Sequence, residues 1–545
     1  LVCLSVVEPV FAETFNVDTD SDKTNGGYII NGSDTLNVNA LIETVNKSGV
    51  HATGSGNTVN INSADGEVSV TGPNSKGILN DGENSTVTVN SGTKITVDGS
   101  AGTKGLVYGI ENKSANNTTI IGGTVDVTGL NARGVWGHSQ TQKLTEVLST
   151  GVINVNGEGA VGIYVQSGNT TKVAGQIIAK GESSDGIRNF GSGASEEKPQ
   201  TTNVTSTGSI VTNGSNGYGI HNKGTFNSTT VAGSISTQGK TAYGIYNFGD
   251  SNTTTISAGG TVTTTGPSSH GVFNEGNTNT TTVSGDIDTT GEKANGVYNK
   301  GSGNVTTIEA GGSITAQSAQ GVRNTGSGNT TNVAGSISTK GDRWQEDGKW
   351  YYSDGIFNTA SSTTDVSGTI TVEGEAARGI HNSGGNHKTT VSGSIYTTGN
   401  GSHGIALFGN TNINNVTTIT ETGTIKTTGN GSSGITQVPA QDKEALMNTQ
   451  ITVDGRISTE GRNALGIKNQ AHGNITTVSG SISTQGETAY GIYNSGNSNR
   501  TDVAGSITTQ GETAYGIYNL GDSNTTTVSG SIITGSDVTT SSKHG

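Results

Sequence analysis

A short signature, Gly-[Ile/Val]-x-Asn in its fullest form, begins at Gly77, Gly109, Gly134, Gly162, Gly186, Gly219, Gly244, Gly271, Gly296, Gly321, Gly355, Gly379, Gly404, Gly434, Gly466, Gly491 and Gly516. Seven of the sixteen intervals are 25 residues, two are 24, and the rest run from 27 to 34. A fixed minimum with occasional excess describes one structural unit carrying loops at corners that tolerate them. Self-similarity at such a period marks a repeat architecture in which each unit rests mainly on its neighbours.

The unit is clearest over residues 229–247, TTVAGSISTQGKTAYGIYN. Thr229, Val231, Gly233, Ile235 and Thr237 alternate with Thr230, Ala232, Ser234 and Ser236, the two-residue period of a strand with one buried face. The alternation passes through Gly233, so two strands meet there at a bend that leaves room only for glycine inside. A third strand carries Ala242, Gly244, Ile245 and Asn247. Its inward set steps by three across the glycine, as an extra bulged residue makes it do. The residue before that glycine (His270, Asn295, Gln320, Asp354, Arg378 and Tyr490 in other copies) is expected to face water.

Three short strands and three bends per repeat describe one turn of a coil. A single coil buries few large aliphatics, worth roughly 1.5–3 kcal/mol each, against about 1–2 kcal/mol of backbone entropy per ordered residue. Only stacked coils are stable. The expected fold is all-β: a right-handed, single-stranded parallel β-helix, a solenoid with about 25 residues per coil. Residues 77–545 form the repeat array and residues 13–76 an N-terminal cap with the first coils.

Two inner ladders support stacking in register. Asn closes the third strand in thirteen of the seventeen copies, among them Asn247, Asn274, Asn299, Asn324, Asn358, Asn382, Asn469, Asn494 and Asn519. Stacked amides can bond each other and the turn backbone, satisfying polar groups that stacking buries. Thr stands two before the last aliphatic of the first strand, as at Thr254, Thr281, Thr306 and Thr331. A position filled alike in nearly every coil is structural.

Composition excludes several classes. Gly is 87 of 545 residues and Pro only 5, with 13% charged and 5% aromatic residues, too little bulky apolar material for several globular cores. The formal charge is −14 with no basic cluster, which argues against a nucleic-acid partner. Histidines lie singly, with no metal-ligand spacing, so no metal or cofactor site is expected. No nucleophile elbow or phosphate loop stands in a strand-to-helix setting, and no catalytic residue is assigned. Residues 1–12 (LVCLSVVEPVFA), which hold the only cysteine, Cys3, are read as the remnant of a signal peptide cleaved after Ala12.

Coils of the GSISTQGETAYGIYN type in long array, the leader-like opening and the lack of cysteine after it resemble the passenger domains of pertactin-like and AIDA-like bacterial autotransporters. The resemblance covers nearly the whole chain from about Phe15 and rests on repeat style, not on a catalytic signature. It implies display at the outer membrane or secretion by a Gram-negative bacterium, and work as an adhesin or self-association factor in virulence. Its partners would be a host cell-surface protein or glycan, or identical passengers on neighbouring cells. Membrane attachment would come only through a C-terminal barrel that this sequence lacks, and the array stops at Gly545 midway through a unit. The competing reading is a β-helix enzyme, a polysaccharide lyase or tailspike-type glycanase, which needs Asp, Lys or Arg clustered on neighbouring coils.

One insertion stands out, residues 341–354 (GDRWQEDGKWYYSD), with two of the three tryptophans. Trp344, Trp350, Tyr351 and Tyr352 are candidate binding residues, able to stack on sugars or anchor a protein; the alternative is a loop folded back on the coils. Residues 140–150 and 437–450 are expected to form short helices, and 191–201 a polar loop. An outward line, Tyr164, Tyr246, Phe273, Tyr298, Phe357, Tyr493 and Tyr518, is interrupted by Arg188, His221, Arg323, His381 and Lys468. Sheet stabilisation is its simplest role.

Overall fold

The computed structural model describes residues 12–20, 27–100, 105–138, 143–166, 168–191, 195, 198–342, 344–346, 349–409, 414–439 and 448–535; of 344–346 and 349–351 it describes the backbone. The leader reading of residues 1–12 and the closing residues 536–545 fall, Ala12 apart, outside the described residues. The chain divides between Thr254 and Thr255 into two compact units. Each is a β-solenoid of three parallel sheets, and together they make about 18 turns of about 26 residues with no helix among the described residues.

In the first unit the first sheet runs from Thr14–Val17 to Asn227–Val231, the second from Leu41–Val45 to Ser234–Thr237, and the third from Tyr28–Asn31 to Ile245–Asn247. In the second unit three equivalent sheets run from Thr280–Val283 to Thr525–Val528, Thr261–Thr264 to Ser531–Thr534, and Val272–Asn274 to Ile517–Asn519. Each rung pairs in parallel with its equivalent one coil away, so like residues stack: Val262 on Ile287 on Ile314 in the second sheet, Val272 on Val297 on Val322 in the third, Val283 on Ile308 on Val333 in the first. All are buried. Three aliphatic columns therefore meet inside the coil, and every coil caps the one before it.

The alternation expected around Gly233 is present: Thr229, Val231, Gly233, Ile235 and Thr237 are buried, and the residues between them are half-buried. A Cβ at Gly233 would lie 2.2 Å from the Gly208 carbonyl oxygen, so corners stacked this closely exclude any side chain. The third strand is bulged at its glycine. Tyr108 pairs with Arg133 and Ile110 with Val135, while Gly109 and Gly134 are passed over.

One local expectation is corrected, and a second at its ends only. Leu144–Val147 is a strand of the first sheet, not part of a helix over 140–150. It lies between Thr118–Ile121 and Thr170–Val173, and a helix there would strip both of their hydrogen-bonding partner. In the other segment, Gln437 ends inside Ser433–Pro439 and Gln450 opens Gln450–Val453, with 440–447 outside the described residues.

Candidate binding face

The two inner ladders of the sequence form one network. Asn299 accepts from Asn274 Nδ2 and donates to Asn324 Oδ1, both at 2.7 Å, and also donates to Thr306 Oγ1 at 2.9 Å. The same pattern links Asn324, Asn358 and Asn382 to each other and to Thr331, Thr364 and Thr389. It returns at Asn469, Asn494 and Asn519, the last of which is exposed, and in the first unit at Asn189, Asn222 and Asn247. Within each run the amide thus donates to the amide one coil on and to the Thr of the first-sheet strand that follows it.

A further Asn column escaped the sequence reading. Asn252, Asn279, Asn304, Asn329, Asn474 and Asn499 lie five residues after a ladder Asn and two before its Thr. Asn304 and Asn329 Oδ1 accept the backbone N–H of Asn279 and Asn304 at 2.7 Å. The signal was the spacing Asn-x4-Asn-x-Thr. Where the first ladder fails at Gly137, Lys143 replaces this second Asn, and its Nζ reaches the Asn112 carbonyl at 2.8 Å.

His387 occupies the second column too and is 1% exposed. Burial holds its pKa down at about 4. The unfolded chain then binds the proton first as pH falls below about 6.5, so stability is lost between there and pH 4. A loss on the order of 2 kcal/mol between pH 7 and 4.5 is expected. His387→Asn should remove that share of the acid sensitivity, read as thermal midpoints at the two pH values; an unchanged slope would refute the assignment.

Outside the third sheet the structure overturns one expectation. His270, Asn295, Gln320, Asp354 and Arg378 do not face water; each is 7% exposed or less. The bulge turns the residue before the glycine and the second residue after it outward side by side. The two columns cover each other, and so Tyr246 and Phe273 of the aromatic line are buried as well. Tyr218 stacks on Tyr243 at 5.1 Å between ring centres and His221 on Tyr246 at 4.9 Å. In the second unit Tyr490, Tyr493, Tyr515 and Tyr518 form a two-by-two grid with centres 5.4–5.8 Å apart.

Charged residues that are far apart in sequence meet on this face. The buried Asp185 carboxylate accepts from Arg188 Nε at 2.6 Å, from the Tyr218 N–H at 3.0 Å, and meets His221 Nδ1 at 3.1 Å. Burial alone would raise its pKa, but His221 and Arg188 outweigh that and hold it below the usual range. Glu111 is held low in the same way, against burial, by His138 at 2.7 Å and by Lys76. In the second unit Asp354 binds His381 Nδ1 at 2.9 Å and the Arg378 N–H at 2.9 Å.

Of the four candidate residues on the insertion, Tyr352 belongs to this face. Arg378 lies 3.7 Å from its ring centre, and its carbonyl accepts from Gln320 Nε2. Trp344–Glu346 and Lys349–Tyr351 form an antiparallel hairpin whose register sets Trp344 opposite Tyr351 and Trp350 opposite Gln345. The side chains of Trp344, Trp350 and Tyr351 lie outside the described residues. No protein-family model matches the chain, and comparison with curated proteins finds no match.

Proposed function

We propose that this chain is a passenger-type display scaffold that adheres through the outer face of its third sheet and performs no catalysis. The β-solenoid, the repeat style resembling autotransporter passengers, and the continuous columns of aromatic, histidine and cationic side chains support this reading. The observation that carries it is the state of the carboxylates on that face. Asp185, Glu111 and Asp354 are each already bound by histidine and cation, an arrangement that supports a fixed surface more than a carboxylate free to trade a proton with a substrate.

One groove favours the enzyme reading enough to be tested. About 300 Å³ in volume, it lies on the second sheet of the first unit, with Asp98 and Asp126 on adjacent rungs beside Asn154 and Lys180. Glycoside hydrolysis needs one carboxyl kept protonated by a raised pKa. Asp98 is shifted the other way, lowered by hydrogen bonds from Ser100. The test is to coat beads with the purified protein, score their adhesion to epithelial and bacterial cells, and assay reducing-sugar release from a polysaccharide panel. Adhesion without release is expected; release abolished by Asp126→Asn would replace this reading with the enzyme.

A further inference from the structure

We infer that the third-sheet face of the first unit is a docking strip for acidic polysaccharide, centred on Arg133 and Lys223; this rests on the adhesive reading and names its ligand class. Among the described residues the face carries three carboxylates, and all are neutralised: Asp81 by Lys113 and His51, Glu111 by Lys76 and His138, Asp185 by Arg188 and His221. Arg133 and Lys223 remain. Among the described residues neither has a carboxylate within ion-pair distance. Both sit on aromatic rings instead: the Arg133 guanidinium is 4.2 Å from the Trp136 ring centre and 4.1 Å from that of Tyr164, and Lys223 Nζ is 5.0 Å from that of Phe190. Arg133 Nη1 and Trp136 Nε1 are buried donors without a hydrogen-bond partner.

A chain with a formal charge of −14 thus keeps surplus cations on one face, each held against an aromatic ring. That chemistry fits a ligand with sugar rings and sparse negative charge. Arg133 and Lys223 are three rungs apart along the stack and about four residues apart across the strand, roughly 19 Å at the usual strand spacing and rise, within reach of an oligosaccharide of a few sugars. Nucleic acid fits worse. Duplex DNA presents a charge about every 1.7 Å, whereas the rungs between these two cations include the carboxylate of Asp185.

The full chain is titrated onto immobilised dextran sulfate, polygalacturonate, neutral dextran and a single-stranded oligonucleotide. Binding of at least one acidic polymer, weakened by salt, is expected. Lys223→Gln should lower its affinity about threefold and the Arg133→Gln/Lys223→Gln pair at least tenfold, while Lys240→Gln, on an exposed turn, changes nothing. Lys223 is exposed, so its single variant tests the strip even if the Arg133 change perturbs folding. Equal retention of neutral dextran, tighter retention of the oligonucleotide, or full affinity in the double variant would overturn the inference. If neither acidic polymer binds but coated beads still adhere to cells, the strip fails and the adhesive reading stands; if the beads do not adhere, both fail.

Discussion

Gly296→Ala is expected to open the second unit around residues 296–340, at a cost of about 3 kcal/mol or more. The added Cβ would lie 2.1 Å from Ile314 Cγ2 and 2.6 Å from the Gly321 carbonyl oxygen. Ile314 is fully buried within its own column, and the carbonyl belongs to the next coil's bulge, so neither can retreat without breaking a rung. Because a solenoid's stability is a nearest-neighbour property, the damage should stay local. Hydrogen exchange is the measurement: protection should fall over residues 296–340 and survive near residues 466–519. Gly311 is the control. Its φ of +94° strains an alanine, yet nothing lies within 4 Å of the added Cβ, so Gly311→Ala should cost only about 1–2 kcal/mol. Equal effects at the two glycines would mean that close packing at the bulge is not what selects Gly296.

Asn299→Ala should cost roughly 3 kcal/mol, because it removes one accepted and two donated bonds and leaves Asn324 Oδ1 and Thr306 Oγ1 buried without their donor. Asn299→Asp separates hydrogen bonding from volume. Its carboxylate can accept from Asn274 but would face Asn324 Oδ1, so both burial and that lone pair raise its folded pKa above the unfolded value near 3.9. The folded state then holds the proton longer, and stability relative to wild type falls as pH rises through and above about 4. Urea unfolding of both variants and wild type at pH 4 and 7 decides it. An aspartate variant as stable as wild type at pH 7 would show that the amide column carries little of the stacking energy.

The coil was legible because its constraints are local and repeated. Gly233 at the corner, Ile235 behind it, and Ala242 to Asn247 across the bulge each follow from a two-residue period and one break in it. The Asn and Thr ladders were visible as columns, but their mutual bonding was not, since Asn299 and Thr306 belong to different strands. The second Asn column was present as a spacing, but its role lies in bonds to the backbone of a neighbouring coil, which spacing alone does not display. The outer face was misjudged for a different reason. Period two marks residues as pointing outward, and a residue outside the coil was equated with one in water.

Sequence by itself determined the solenoid: three strands, a glycine corner, a bulge and a constant step leave stacking as the one way to bury so few aliphatics. Only tertiary structure decided the chemistry of the outer surface. Asp185 and His221, or Arg133 and Tyr164, are separated by a whole coil of chain and become neighbours through strand spacing, so their pairing depends on which coil lies beside which and on the length of every loop between them. Charge and aromatic character are written in the residues; which cations are left without a counter-charge is a property of the stack.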